Sequence, residues 1–321
     1  MYRVLKLGDF ATAVPALRAL ERARPERRRV LAGPSSYRSL VRLAGLDWEV
    51  LPTPELHTPA WDRRRPPELA VNLHGRGPRS IEALDGLRPR QLWTHGHPSL
   101  PDRPGPPWPG DVHDADIWCR LLEHHGVAAD PRDLYWPVPE DVSREERVVL
   151  HPGASAESRC WPVERFAAVA RHLSRLGLEV VVTGSSEEEG RARRVAEEAG
   201  LAPESVVAGR TSLEELAALV AGARLVLCGD TGIAHLATAY ATPSVRLFGP
   251  VPPALWGPRV DGDLHACLWA GRRGDPHAAA PDPGLLALET DEVVKRCTEI
   301  LSRTEPGSAA EGILFPSSEV G

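Results

Sequence analysis

Between Leu225 and Pro250 the chain reads LVLCGDTGIAHLATAYATPSVRLFGP. The polar residues of that stretch sit where chemistry is possible. Leu225-Val226-Leu227-Cys228 is an apolar run of strand length, and Ile233, Leu236, Ala237 and Tyr240 recur at helical spacing. Gly229-Asp230-Thr231-Gly232 separates the two patterns. Asp230 or Thr231 can cap the helix, and Gly232 lets the backbone approach a ligand closely. The first helical amides lack internal partners and can hold an anion. His235 falls one turn beyond Thr231 on the same helical face. Amides, a hydroxyl and an imidazole converging on one spot suit a phosphate or diphosphate; the same residues also suit a plain helix cap over a buried histidine. A second candidate is Asp9, placed between a strand pattern at residues 2–7 and a helical pattern at 10–20. A carboxylate there can cap the helix or serve as a general base aimed into a cleft.

The elements that position these residues alternate at short intervals. In the second half, strand patterns at 148–150, 178–183, 206–208, 225–228 and 244–248 are interleaved with helical patterns at 163–176, 187–200, 213–221 and 233–240. Capping boxes are predicted at Ser186/Glu189 and Ser212/Glu215. In the first half, strands are expected at 30–33, 48–51 and 69–73, and helices at 37–44 and 111–126. Alternation of this kind predicts parallel sheets covered on both faces. Residues 54–67, 89–109 and 250–283 read as loops, and 285–301 as a last helix. The Gly-flanked His74-Gly75-Arg76-Gly77 turn ends a strand and can be an anion-binding acceptor site or only a turn. Asp114-Ala115-Asp116 has the spacing of a metal-binding DxD, but acidic residues also favour a first helical turn. The proline-rich 130–144 stretch is the expected linker. The predicted division is 1–143, an α/β domain carrying Asp9; 144–283, a second α/β domain carrying the Asp230–Gly232 turn; 284–303, a helix; and 304–321, a disordered tail.

Bulk properties exclude several classes. The net charge of −6 argues against a nucleic-acid binder. The acidic excess is confined to residues after 143, which leaves the first half the less repulsive one for an anionic acceptor. No apolar run reaches membrane-span length, so at most peripheral membrane contact is expected. The five cysteines are scattered, without CxxC pairing, and predict neither zinc nor disulfides. With a strand pattern starting at residue 2 and no leader pattern, a cytoplasmic monomer is expected.

Four pieces stand together in order: LKLGDFATAVPALRAL; HPGAS; RCWPVERFAAVA; and AGRTSLEELAALVAGARLVLCGDTGIAHLATAYATPSVRLFGP. In this the chain resembles glycosyltransferase family 9, the ADP-heptose heptosyltransferases. The resemblance extends over most of residues 3–258 and is thinnest between 54 and 110. It implies an α/β fold of GT-B architecture, two Rossmann-like domains facing across a cleft, and inverting sugar transfer from a nucleotide-sugar donor without cofactor or metal. It implies that Asp9 is the base, and that Asp230, Thr231, Gly232 and His235 form the donor-diphosphate motif. Ser155 is implied near the same phosphates, Thr211 near the nucleobase and Glu187 near the ribose. The sequence departs from the family where a lysine usually precedes [RH]-W-P: Arg159 stands there, keeping the charge on a larger planar fork. The resemblance implies an acceptor in the lipopolysaccharide core, while the acidic second half and the lack of a basic amphipathic helix suit a soluble glycoside as well. The alternatives are a GT-B sugar-nucleotide epimerase, a non-catalytic nucleotide-sugar binder, and a metal-dependent transferase using Asp114 and Asp116.

Overall fold

The computed structural model describes residues 1–304 except residue 63; the tail expected beyond 304 lies outside the described residues. The first lobe holds α1 (Leu7–Ala23), β1 (Val30–Gly33), α2 (Tyr37–Leu43), β2 (Glu49–Pro52), β3 (Leu69–Val71), α3 (Arg79–Asp85), β4 (Gln91–Trp93) and α4 (Asp114–His124). The second holds β5 (Arg147–His151), α5 (Val163–Arg175), β6 (Glu179–Val182), α6 (Glu189–Ala199), α7 (Leu213–Ala221), β7 (Leu225–Gly229), α8 (Gly232–Ala239), β8 (Ser244–Phe248), α9 (Pro253–Trp256), β9 (His265–Trp269), α10 (Pro283–Leu286) and α11 (Thr290–Arg303).

In the first lobe β1 pairs with β2 and β3 with β4, all in parallel. Tyr2 bridges to both Ala32 and Asn72 and joins the two pairs into one sheet. The strand expected at 2–7 is therefore a single bridging residue. Beyond Arg3 the backbone finds side chains instead of strands: Val4 N–H donates to His74 Nδ1 (3.0 Å) and Lys6 N–H to an Asp9 carboxylate oxygen (3.3 Å). Helix α1 then starts at Leu7, three residues earlier than predicted. The second lobe carries a five-stranded parallel sheet in the order β6-β5-β7-β8-β9.

The predictions fail where elements are short. β4 lies inside the expected 89–109 loop, and β9 inside the 250–283 loop, because neither shows the alternation that marks a half-buried strand. The expected strand at 206–208 is only a bridge from Val206 to Val182. The Ser212/Glu215 capping box forms, whereas α6 starts at Glu189 with no capping box, and the Glu188 carboxylate accepts the Ser185 N–H (2.7 Å). The last helix is broken into α10 and α11. Carbonyls freed at the break are taken by Trp161 Nε1 (3.1 Å, Leu288) and Arg165 Nη1 (2.7 Å, Leu286).

One apolar core runs through both lobes. Phe10, Val14 and Leu17 of α1 join Trp118 and Leu121 of α4 and Ile233, Leu236 and Ala237 of α8. A second core, with Val148, Leu150, Phe166, Leu225 and Val293, is internal to the second lobe. The shared core packs α1 against α8 and so brings the N-terminal turns of the two candidate site helices together.

Candidate functional site

Helices α1 and α8 meet at their N-termini. A Cβ on Gly8 would stand 3.0 Å from His235 Cδ2, and one on Gly232 would stand 3.1 Å from Leu7 Cβ. Gly232 thus has a second reason to be glycine: the space beside it is filled by the opposite lobe. Asp9 is the third residue of α1 and accepts the Lys6 backbone N–H, so it caps its helix. Its carboxylate nevertheless remains part-exposed at 26%, and it acts electrostatically on Asp230 across the junction. Burial pushes its pKa up, against the pull of Arg3 and with the push of Asp114. A carboxylate whose proton affinity is raised while one edge stays open has the properties of a general base.

On the facing lobe, Thr231 caps α8 in extended conformation and its hydroxyl makes no cap hydrogen bond. Asp230 is buried, and its carboxylate is raised above the usual range by burial, with Arg159 and Arg246 opposing and Asp9 adding to the rise. Arg159 Nη1 lies 3.5 Å from the Asp230 carboxylate and 3.4 Å from its carbonyl, while Nη2 donates to Ser155 Oγ (2.5 Å). Ser155, Arg159, Asp230, Thr231 and Gly232 therefore form one patch: two side-chain hydroxyls, a guanidinium and the free amides of α8's first turn. His235 lies at the same junction. Its ring is buried against Gly8 and Trp256 (6.1 Å between centroids), and burial, followed by Arg246, His113 and Arg3, holds its pKa down at about 3. It is a neutral imidazole at the seam between lobes and supplies no positive charge.

Glu187 is exposed, and its own amide followed by the Ser185 hydroxyl lowers its pKa, with Lys6 of the other lobe contributing. Its neighbour Glu188 is more firmly placed. A Cβ on Gly153 would fall 2.2 Å from Glu188 Cδ, and His151 Nε2 lies 3.8 Å from the same carboxylate. Thr211 is part-buried immediately before the Ser212 cap. On the acceptor side, His74 gives its Nδ1 to the Val4 N–H and is held neutral by burial, then by Arg3, at about 4. Arg76 is exposed, with its guanidinium 5.4 Å from the Trp108 ring centroid. Asp114 and Asp116 do not act as a pair: Asp114 binds Arg3, Thr12 and Trp118, Asp116 binds Arg259, and His113 is the cap of α4. A cavity of about 350 Å³ under the first lobe, lined by Leu20, Val30, Trp48 and Trp61, touches none of these residues.

Sequence reasoning missed Arg3, Glu188 and Arg246. Arg3 and Arg246 are fully buried charges within otherwise apolar strand patterns, and that isolation was the available signal. Glu188 had no signal beyond being one of three consecutive glutamates.

Two parallel-sheet lobes with a site at the C-terminal strand ends, carried on opposing helix N-termini, define the GT-B class. The solved structure of the glycosyl transferase family 9 protein from Veillonella parvula is similar over 94% of this chain and 96% of its own, with a TM-score of 0.77 at 20% identity. The E. coli heptosyltransferase WaaC solved with ADP-2-deoxy-2-fluoro heptose is similar over 93% of this chain and 98% of its own (TM-score 0.66, 18% identity). Residues 126–277 match the family described as Glycosyltransferase family 9 (heptosyltransferase). Lipopolysaccharide heptosyltransferase 3 of Escherichia coli K12 is 30% identical over 205 residues, 60% of this chain and 57% of that protein. The chain spans less than two thirds of the length of the curated relatives it matches.

Proposed function

We propose that this chain is an inverting glycosyltransferase that needs no metal and moves a heptose from ADP-heptose to a hydroxyl of a glycan or small glycoside. The observation that carries the reading is the close approach of the α1 and α8 N-termini, which brings Asp9 into the electrostatic reach of Asp230 beside the Arg159–Ser155 pair. The acceptor hydroxyl attacks the anomeric carbon from one face, and its proton passes to Asp9. The bond from that carbon to the diphosphate oxygen breaks on the other face, through an oxocarbenium-like transition state. Negative charge then grows on the departing diphosphate, beside the Arg159 guanidinium and the first amides of α8. These fixed donors take the part a cation would otherwise play. Glu187 and Glu188 stand at the ribose end and Thr211 at the base, while His74 and Arg76 belong to the acceptor side. The relative solved with an ADP-heptose analogue supports the choice of donor.

The division into an acceptor domain, 1–143, and a donor domain, 144–283, belongs to this reading, as do a monomeric state and a cytoplasmic setting. Among the described residues no helix is long and apolar enough to cross a membrane. Asp9→Asn tests the reading directly. Donor affinity, measured by calorimetry, should be retained while turnover falls by roughly 10²-fold or more. Wild-type turnover in that variant would remove Asp9 as the base. An altered sugar nucleotide formed from donor alone would instead identify an epimerase.

A further inference from the structure

We propose that Arg3 and Asp114 form a buried positioning pair for Asp9, an inference that rests on Asp9 being the base. Arg3 is 1% exposed, and three parts of the first lobe converge on its side chain: the end of β3, α1 and α4. Its Nη1 donates to the Leu73 carbonyl; its Nη2 donates to Asp114 Oδ2 (2.7 Å) and lies 3.4 Å from Thr12 Oγ1. Its guanidinium sits 4.8 Å from the Trp118 ring centroid. Asp114 Oδ2 is fixed in turn by Thr12 Oγ1 (2.6 Å) and Trp118 Nε1 (2.9 Å). The same Nη2 stands 3.6 Å from Asp9 Oδ1, beyond hydrogen-bond length.

One buried cation is thus shared unequally between two carboxylates. Asp114 takes the direct bond, so Asp9 feels the charge without being captured by it. A guanidinium clamped on Asp9 would make a weak base, and no guanidinium at all would leave Asp9 protonated by its burial. The geometry lies between these limits. Arg3 also orients the carboxylate: Oδ1 is drawn to Nη2 and Oδ2 to the Lys6 amide, which fixes the plane of the group. The other groups facing Asp9 are Tyr37 of α2, Asp230 across the junction and the neutral His235 ring behind Gly8.

The test is the pH dependence of kcat at saturating donor, with donor affinity measured alongside. Asp114→Asn keeps shape but removes the competing charge, so the acid limb should move down by about one pH unit. Arg3→Met should move it up by a similar amount. Arg3→Lys keeps the charge but cannot fork, so kcat should fall about tenfold with the limb nearly in place. Donor affinity should be unchanged in all three. Limbs that stay at the wild-type position in folded variants, or that move in one direction for both charge deletions, overturn the proposal. Loss of fold in every variant assigns the pair to structure alone and overturns it too. Asp9→Asn is run in parallel: if it turns over normally, the base assignment itself fails; if it is inactive and the limbs do not move, only the pair fails.

Discussion

Replacing Arg159 by Met should separate two roles that the residue combines. Methionine keeps much of the apolar stem and deletes the charged fork. The fork faces Ser155 and the α8 terminus, so a bound diphosphate would lose one or two charge-assisted hydrogen bonds. At about 1.5–3 kcal/mol for a bond to a charged group, donor affinity should weaken by roughly 10- to 100-fold. The second role is structural. Arg159 stands 3.5 Å from the Asp230 carboxylate, whose side chain is 7% exposed. Unscreened by water, that pair would be worth about 4–5 kcal/mol at an effective dielectric near 20. The Arg159 side chain is 21% exposed, which reduces this to roughly 2 kcal/mol.

Asp230 already has its pKa raised by burial, and without Arg159 it rises further. The sign follows. When Asp230 is protonated in folded and unfolded chains alike, near its ordinary value of 3.8 and below, the variant should match wild type. As pH rises through the folded-state pKa, ionising the isolated carboxylate destabilises the variant increasingly, by about 1–3 kcal/mol once the difference is complete. Calorimetric titration with ADP checks the first role, and thermal unfolding of both proteins from pH 4 to 8 checks the second. Asp230→Asn added to Arg159→Met should remove the pH-dependent part. An unchanged ADP affinity, or a stability loss as large at pH 4 as at pH 8, would refute the reasoning.

Gly153→Ala should displace Glu188, since the new methyl would lie 2.2 Å from its carboxyl carbon; a loss of about 1–3 kcal/mol in chemical denaturation is expected, largely recovered in a Glu188→Ala background. Equal losses in both backgrounds would show that the methyl meets something else. His235 should stay neutral across the physiological range, because its pKa lies at about 3; nuclear magnetic resonance should show no titration of its ring between pH 5 and 8 in the free protein. Widening the seam with Gly8→Val should drive the side chain into the His235 ring, part α1 from α8 and reduce kcat more than donor affinity, read by steady-state kinetics against calorimetry.

The regular parts of the second lobe were legible because local signals agreed there. The apolar run at β7, the helical spacing of α8 and the capping box before α7 each specify their own backbone from neighbouring residues. The sequence alone therefore determined the alternating architecture of the second lobe and placed the Asp230–Gly232 turn at the end of β7, whereas the strand expected before Asp9 is a single bridging residue. The sequence did not determine what faces Asp9 or that turn. His235 sits on the expected helix face, yet packing against Gly8 makes its ring a neutral wedge. Asp114 sits in the expected first turn, yet its carboxylate holds a residue 111 positions away. Tertiary structure decided these roles, because the proton affinity of a buried group depends on distances to charges brought in from remote parts of the chain, and no spacing rule encodes those.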